Sequence, residues 1–224
     1  MTAQVDAADR LVPLTRLRTA VARTVTASAA VPQFTVEYDV DVRGLADLRT
    51  RWDSSVSVTD IVHAATATAL RAHPRLNAAW TDDGIVEYSS INLGFAIAHP
   101  EQDGLLVPAI LDADRLSLLE LAGRRRALTE AAVSGRLRPA DLFSTTFTVS
   151  NLGPTGVSRF RALVLPPQVG ILAVAGARSD GKMTLALSCD HRVVDGQPAA
   201  LFLRELAERL QDASWMLDHP RDAT

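Results

Sequence analysis

Between Phe34 and Val42 every second residue is apolar (Phe34, Val36, Tyr38, Val40, Val42), and the intervening Thr35, Glu37, Asp39 and Asp41 are polar. A period of two is what a strand with one buried and one solvated face needs, and it does not suit a helix. The chain must therefore build a sheet and supply something to pack on one face of it. Helical spacing flanks this strand on both sides. Leu17, Ala20, Val21 and Val25 predict a helix running toward Ala30 and closed by Pro32. Ser57 and Asp60 form a capping-box pair before the stripe Ile61, Val62, Ala65, Ala69 and Leu70, predicting a second helix from Val58 to His73 that Pro74 stops.

Further along, short strands are predicted at Ile85–Tyr88 and Asn92–Ala98, and Gly104–Ile110 reads as a strand whose Pro108 demands an edge or a bulge. A third helix is expected from Leu116 to Val133, ended by Gly135. Strands at Thr145–Ser150, Val169–Ala175 and Met183–Cys189 follow, and then an amphipathic helix with Ala199, Phe202, Leu206 and Leu210 on one face. Strands and helices are mixed without the strict alternation of a doubly wound fold, so the fold class is α+β. At 224 residues and 47% hydrophobic content, the chain suits one domain. It is expected at residues 13–224 behind a flexible N-terminal tail at 1–12.

Composition narrows the function. A net charge of −3, with basic residues interspersed among acidic ones, leaves no footprint for nucleic acid. The opening residues lack a basic start and an apolar stretch, and no later run is long enough to span a bilayer, so no membrane role and a cytoplasmic location are expected. Cys189 is the only cysteine, which excludes an intrachain disulfide. His63, His73, His99, His191 and His219 show no ligand-like spacing, so no metal is expected. Lys182 is the only lysine, which leaves Schiff-base and phosphate-loop chemistry almost without a candidate.

Two strand ends carry chemistry. In Met183–Cys189 alternation puts Leu185, Leu187 and Cys189 on one face, and His191 continues that face where the strand gives way to a turn. Asp195, Gly196 and Pro198 follow before the last helix, making a His-x-x-x-Asp-Gly constellation. A neutral imidazole accepts a proton from a thiol or hydroxyl at physiological pH, and a nearby carboxylate can fix the loop or the ring. A histidine merely hydrogen-bonded in a turn would look the same. In Thr145–Ser150, Phe147 and Val149 are expected to face inward, with Thr146, Thr148 and Ser150 on the other face, before the turn Asn151-Leu-Gly-Pro-Thr-Gly156. A hydroxyl at such a strand end can donate to a developing oxyanion, or simply start the turn.

Asp190-His-Arg-Val-Val-Asp-Gly196 and Phe147-Thr-Val-Ser-Asn-Leu-Gly153 resemble the two signature segments of dihydrolipoamide acyltransferase catalytic domains of 2-oxoacid dehydrogenase complexes. Pro13-Leu-Thr-Arg-Leu-Arg18, Ala72-His-Pro-Arg-Leu-Asn77, Gly104-Leu-Leu-Val-Pro108 and Leu165-Pro-Pro-Gln168 extend the resemblance over nearly the whole chain. The resemblance implies a chloramphenicol-acetyltransferase-like fold, a two-layer mixed sheet with helices, assembled as a homotrimer with a substrate channel between subunits. It implies His191 as general base, Ser150 as oxyanion donor and Asp195 as structural acid partnered by Arg18. Asn151 and Gly196 would support the site, and Leu105, Leu106 and Pro167 would line the channel. Coenzyme A or acyl-coenzyme A would be a substrate. The other acyl carrier would be a lipoyl group on a separate domain, with 2-oxoacid dehydrogenase components and a higher cage as further partners.

Some residues depart from the family pattern. Gln33, in Pro32-Gln33-Phe34, stands where the family commonly has histidine, and Phe160–Leu165 replaces a more usual Pro-Ile-containing stretch. Lys182 resembles a lipoylated lysine at a hairpin tip, but no lipoyl-like sequence surrounds it. Cys189 is read as core rather than nucleophile, and Arg124–Arg126 as a solvated helix face. Two other readings share the motif: an antibiotic acetyltransferase or condensation-type enzyme, against whose condensation form Asp190 before His191 argues, and an idle scaffold, against which intact His191 and Ser150 argue.

Overall fold

A computed structural model of the chain describes residue 6 and residues 8–45, 55–98 and 103–216. His99 and His219, considered above as metal ligands, lie outside those residues. The main sheet has six strands in the order β1-β10-β9-β8-β4-β7. They are β1 (Gln33–Asp41), β4 (Leu93–Phe95), β7 (Ala109–Ile110), β8 (Phe147–Asn151), β9 (Gly170–Ala177) and β10 (Lys182–Asp190). β4, β8 and β9 run parallel to their neighbours in that group, whereas β1 with β10, β10 with β9 and β4 with β7 are antiparallel. Two small hairpins pair β2 (Ala78–Thr81) with β3 (Gly84–Glu87) and β5 (Ile97–Ala98) with β6 (Leu105–Leu106). The expected strand over Gly104–Ile110 is thus two short strands separated by Val107-Pro108, and β7 is the sheet edge, where a proline close by removes no ladder hydrogen bond.

The helices are α1 (Arg16–Ser28), α2 (Val58–Leu70), α3 (Leu118–Val133), the short α4 (Pro139–Phe143) and α5 (Gly196–Gln211). Both α2 and α3 start with a complete capping box, at Ser57/Asp60 and Ser117/Glu120. α2 and α5 bury their apolar stripes against one face of the sheet. There Ile61, Val62, Leu70, Phe202 and Leu206 meet Phe147, Val149, Leu172, Leu185 and Leu187. The alternation expected of β8 and β10 is therefore observed, with Phe147, Val149, Leu185, Leu187 and Cys189 all in this core.

The opposite face is covered by the segment between β8 and β9 rather than by helices. Val164 buries with Val31 and Ile171, while Arg159 and Arg161 reach Asp39 and Glu37 on β1. Gln33 holds this layer in place: its Nε2 donates to the Ser28 carbonyl at 3.1 Å, and its Oε1 accepts from the Val164 amide at 3.0 Å. Gln33 is thus a neutral clamp joining α1, β1 and residue 164.

Arg125 is not part of a solvated face. It donates from Nε to Asp60 Oδ1 at 2.5 Å, and the Asp60 side chain is 0% exposed. Arg126 bonds the Ser55 carbonyl. Consecutive helix residues do point in different directions, and one of those directions is toward α2. Burial disfavours the charge on Asp60, but hydrogen bonds from Arg125 and Ser57 outweigh it and hold the carboxyl below its ordinary value.

Candidate active site

His191 sits one residue beyond β10, where the chain turns. Its backbone amide donates to the Pro32 carbonyl at 2.8 Å, and its ring lies 4.6 Å from the Phe34 ring, centroid to centroid. The turn is fixed from both sides. The amides of Val193 and Val194 donate to the Asp190 carbonyl, and the buried Asp190 carboxylate takes the Arg192 amide and guanidinium at 2.9 Å and closer. Arg192 in turn lies over Trp80, 4.9 Å from the ring centroid. The imidazole is left 53% exposed, with Nδ1 3.7 Å from the Asp195 carboxylate. That distance allows electrostatic support but exceeds a hydrogen bond. Asp195 caps α5 through its backbone only and is 84% exposed.

The expected Arg18–Asp195 pair does not form in the chain. Arg18, in the first turn of α1, bonds Asp103 through Nε at 2.9 Å and through its second nitrogen. The adjacent Leu17 packs so closely on Gly104 that a Cβ there would fall 2.6 Å from Leu17 Cγ. α1 is therefore docked on the segment before β6, and its arginine is used there. Gly196 begins α5, and a Cβ at that position would meet nothing within 4 Å, so the chain itself supplies no steric reason for glycine. Leu105 is half exposed and Leu106 partly so, both on the small β5–β6 hairpin. Pro167 is exposed beside Gln168, which accepts from Thr148 at 2.7 Å.

Ser150 is the penultimate residue of β8 and is partly buried on the face opposite the main core. Across the β8–β9 ladder it stands opposite Ala173, while Cys189 stands opposite Gly170 across β10–β9. Continued past the strand ends, that register sets His191, two residues past Cys189, level with Gln168, which lies two residues before β9, five positions from Ala173 and two strands over. At ~3.3 Å per residue and ~4.8 Å per strand, the two backbones are about 19 Å apart. Within one chain, His191 and Ser150 cannot reach the same carbonyl.

Asn151 supports this strand end. Its Oδ1 accepts from the Gly153 amide at 2.7 Å, and its Nδ2 donates to Thr59 Oγ1 at 3.0 Å. The contact with Thr59 leaves no sign in the sequence, since nothing in a Thr at the start of a helix marks a partner 92 positions away. Cys189 is fully buried, and burial, with the Asp190 charge beside it, pushes its thiol up to about 12. A thiolate there is unavailable at neutral pH. Among the described residues no cluster of three or more His, Cys, Asp or Glu is placed to hold a metal, and no helix is long and apolar enough to cross a membrane.

Residues 6–217 match the family model of the catalytic domain of 2-oxoacid dehydrogenase acyltransferases. The chain belongs to that family. It is 36% identical over 209 residues to an Arabidopsis thaliana protein, dihydrolipoyllysine-residue acetyltransferase component 3 of the mitochondrial pyruvate dehydrogenase complex, covering 84% of this chain and 38% of that one. The chain spans from about a third to just over half the length of the curated relatives it matches. It superposes on the dihydrolipoamide acetyltransferase of Azotobacter vinelandii with a TM-score of 0.89 at 31% identity, covering 97% of this chain and 99% of that one. That crystallographic and enzymatic study concerned the catalytic roles of a serine, a histidine and an asparagine. A structure of the cubic core of the pyruvate dehydrogenase multienzyme complex matches equally well, with the same TM-score, identity and coverage. A chloramphenicol acetyltransferase, at 14% identity and a TM-score of 0.57, covers 84% of this chain and 94% of its own and shares the fold.

Proposed function

We propose that this chain transfers an acyl group between coenzyme A and the thiol of a dihydrolipoyl group carried on a separate domain, within a 2-oxoacid dehydrogenase complex. The observation that carries the reading is the division of the chemistry. An exposed, backbone-anchored His191 and a strand-end Ser150 lie about 19 Å apart in one chain by strand spacing. Two such half-sites become one site when His191 of one chain faces Ser150 of another, so the sites lie between subunits of a closed ring, which we take to be the homotrimer that the family resemblance implies. The match to a cubic core supports further assembly of trimers into a cage.

Asp195 faces Nδ1 of His191, which leaves Nε2 to take the proton from the attacking thiol. The thiolate adds to the thioester carbonyl carbon, and the oxygen that gains the electron pair is bonded by the Ser150 hydroxyl. The tetrahedral intermediate then collapses. The bond to the departing sulfur breaks, the carbonyl reforms, and Nε2 returns its proton to the leaving thiolate. Asp195 has a structural part, capping α5 next to the turn that carries His191.

The test is acyl transfer from acetyl-coenzyme A and from a branched acyl-coenzyme A to free dihydrolipoamide, with the assembly state followed by sedimentation. The wild type is expected to be active as a trimer, His191→Ala inactive, and Ser150→Ala slowed on the order of 10²–10³-fold. An assembled but inactive wild type, or wild-type turnover in Ser150→Ala, would overturn the assignment.

A further inference from the structure

We infer that Thr59 is a positioning residue for the oxyanion donor: its hydroxyl, acting through Asn151, fixes the end of β8 from which Ser150 projects. The inference rests on the acyltransferase reading and adds a residue to it.

The need for such an anchor follows from the sheet. β8 is held on one edge by β9, from Thr148 opposite Ile171 to Asn151 opposite Val174. On its other edge β4 pairs only with Phe147, Thr148 and Val149. The last two residues of β8, Ser150 and Asn151, are therefore clamped by a strand on one side alone. An oxyanion donor on a strand free to shift toward its open side would be displaced from the reacting atom, and displacements near 1 Å can cost about 10²-fold in rate.

The Asn151 side chain provides the missing restraint. Oδ1 closes the turn by accepting from Gly153, and Nδ2 reaches out of the β8–β9 unit to Thr59 Oγ1. The space around Gly153 is tight, because a Cβ would fall 2.9 Å from Asn151 Oδ1 and 3.1 Å from the Ala175 carbonyl. The amide of Leu152 also donates to Val174. Asn151 therefore stays in the conformation that points it at Thr59.

Thr59 is itself immobilised. It lies in the first turn of α2, between the capping residue Ser57 and Asp60, whose carboxylate is bonded by Arg125. Its carbonyl accepts from Nδ1 of the buried His63 at 2.6 Å. A position tied this firmly to α2 and α3 can transmit the rigidity of the helical layer to the strand end. The bond needs a hydroxyl acceptor, which serine retains and valine, of nearly the same shape as threonine, lacks.

The experiment measures kcat and KM for acetyl-coenzyme A and dihydrolipoamide, with melting temperature and assembly state, on the full assembled chain. It compares the wild type, Thr59→Val, Thr59→Ser, Ser150→Ala and the Thr59→Val/Ser150→Ala pair. Thr59→Val should lower kcat roughly tenfold to a hundredfold, within the loss shown by Ser150→Ala, and leave both KM values within about twofold. Thr59→Ser should restore kcat, and Thr59→Val should subtract nothing further once Ser150 is alanine. If Thr59→Val does not assemble, Thr59→Ala carries the same comparison. Wild-type kcat in the valine variant, an equal loss in the serine variant, or an undiminished second loss in the Ser150→Ala background each overturn the inference while leaving the acyltransferase reading intact. A wild type that transfers no acyl group to a thiol overturns both.

Discussion

Replacing Arg125 by methionine isolates the buried pair behind the candidate site. Asp60 is fully buried and is bonded by Arg125 and by the amide and hydroxyl of Ser57. Removing one partner of a buried ion pair typically costs ~3–5 kcal/mol, because the remaining charge stays desolvated. Here there is an escape: Asp60 can take up a proton. From an unfolded value of 3.8, holding the carboxyl neutral at pH 7 costs about 4 kcal/mol, and at pH 5 only about 1.6 kcal/mol. The penalty is therefore bounded at about 3–4 kcal/mol at pH 7 and must shrink on acidification. The sign follows from proton binding: in the variant the folded state would hold a proton that the unfolded one has released, so its stability is full below the unfolded carboxyl value and falls as pH rises from there toward the raised folded one. Urea unfolding at fixed protomer concentration, at pH 7 and pH 5, measures both quantities. At pH 7 the melting temperature should drop by about 6–16 °C. Adding Asp60→Asn, which removes the charge but keeps an acceptor for the cap, should recover most of the loss. A destabilisation below about 1 kcal/mol, or one equal at the two pH values, would refute the reasoning.

His63 makes the protein acid-sensitive by a separate route. Burial pushes its imidazole down to about 4 against the bond to the Thr59 carbonyl. The unfolded chain thus takes the proton first, and stability is full above about pH 6.5 and lost toward pH 4, by about 3 kcal/mol in all. His63→Asn should flatten that slope in urea titrations across this range, and an unchanged slope would assign the acid sensitivity elsewhere. Cys189 should resist alkylation in the native protein and react once urea exposes it, while Cys189→Ala retains acyl transfer; loss of activity there would reopen a nucleophilic role. Gly153→Ala should lower kcat and cost about 1–3 kcal/mol of stability through the contacts its Cβ makes with Asn151 and Ala175; wild-type behaviour in both assays would show that the turn has slack.

What was legible in the sequence was local. The alternation from Phe34 to Val42 and the Ser57/Asp60 cap concern neighbours a few residues apart, and the strand and the cap both appear, although Tyr38 on the apolar side of that strand is exposed and Asp39 on the other side is partly buried. The placement of His191 and Ser150 at strand ends follows from alternation in β10 and β8, which the core confirms. The strand Ala78–Thr81 was missed because Ala-Ala-Trp-Thr has no period, and its pairing with Gly84–Glu87 depends on the Asp82-Asp83 turn between them. The long-range polar contacts left no local mark. Arg125 meets Asp60 across 65 positions, Gln33 meets Val164 across 131, and Arg18 meets Asp103 across 85. Each depends on which helices and loops pack together, and a charge or amide carries no period that points to its partner.

The separation of His191 from Ser150 along the sheet also bears on inheritance and mixing. In the proposed trimer no chain owns a complete site, so a His191→Ala chain, inactive alone, and a Ser150→Ala chain, slow alone, can complement one another. With random equal mixing, about one interface in four pairs an intact histidine with an intact serine. Conversely, a chain lacking both groups spoils the two interfaces it touches and acts as a dominant poison in a mixed population.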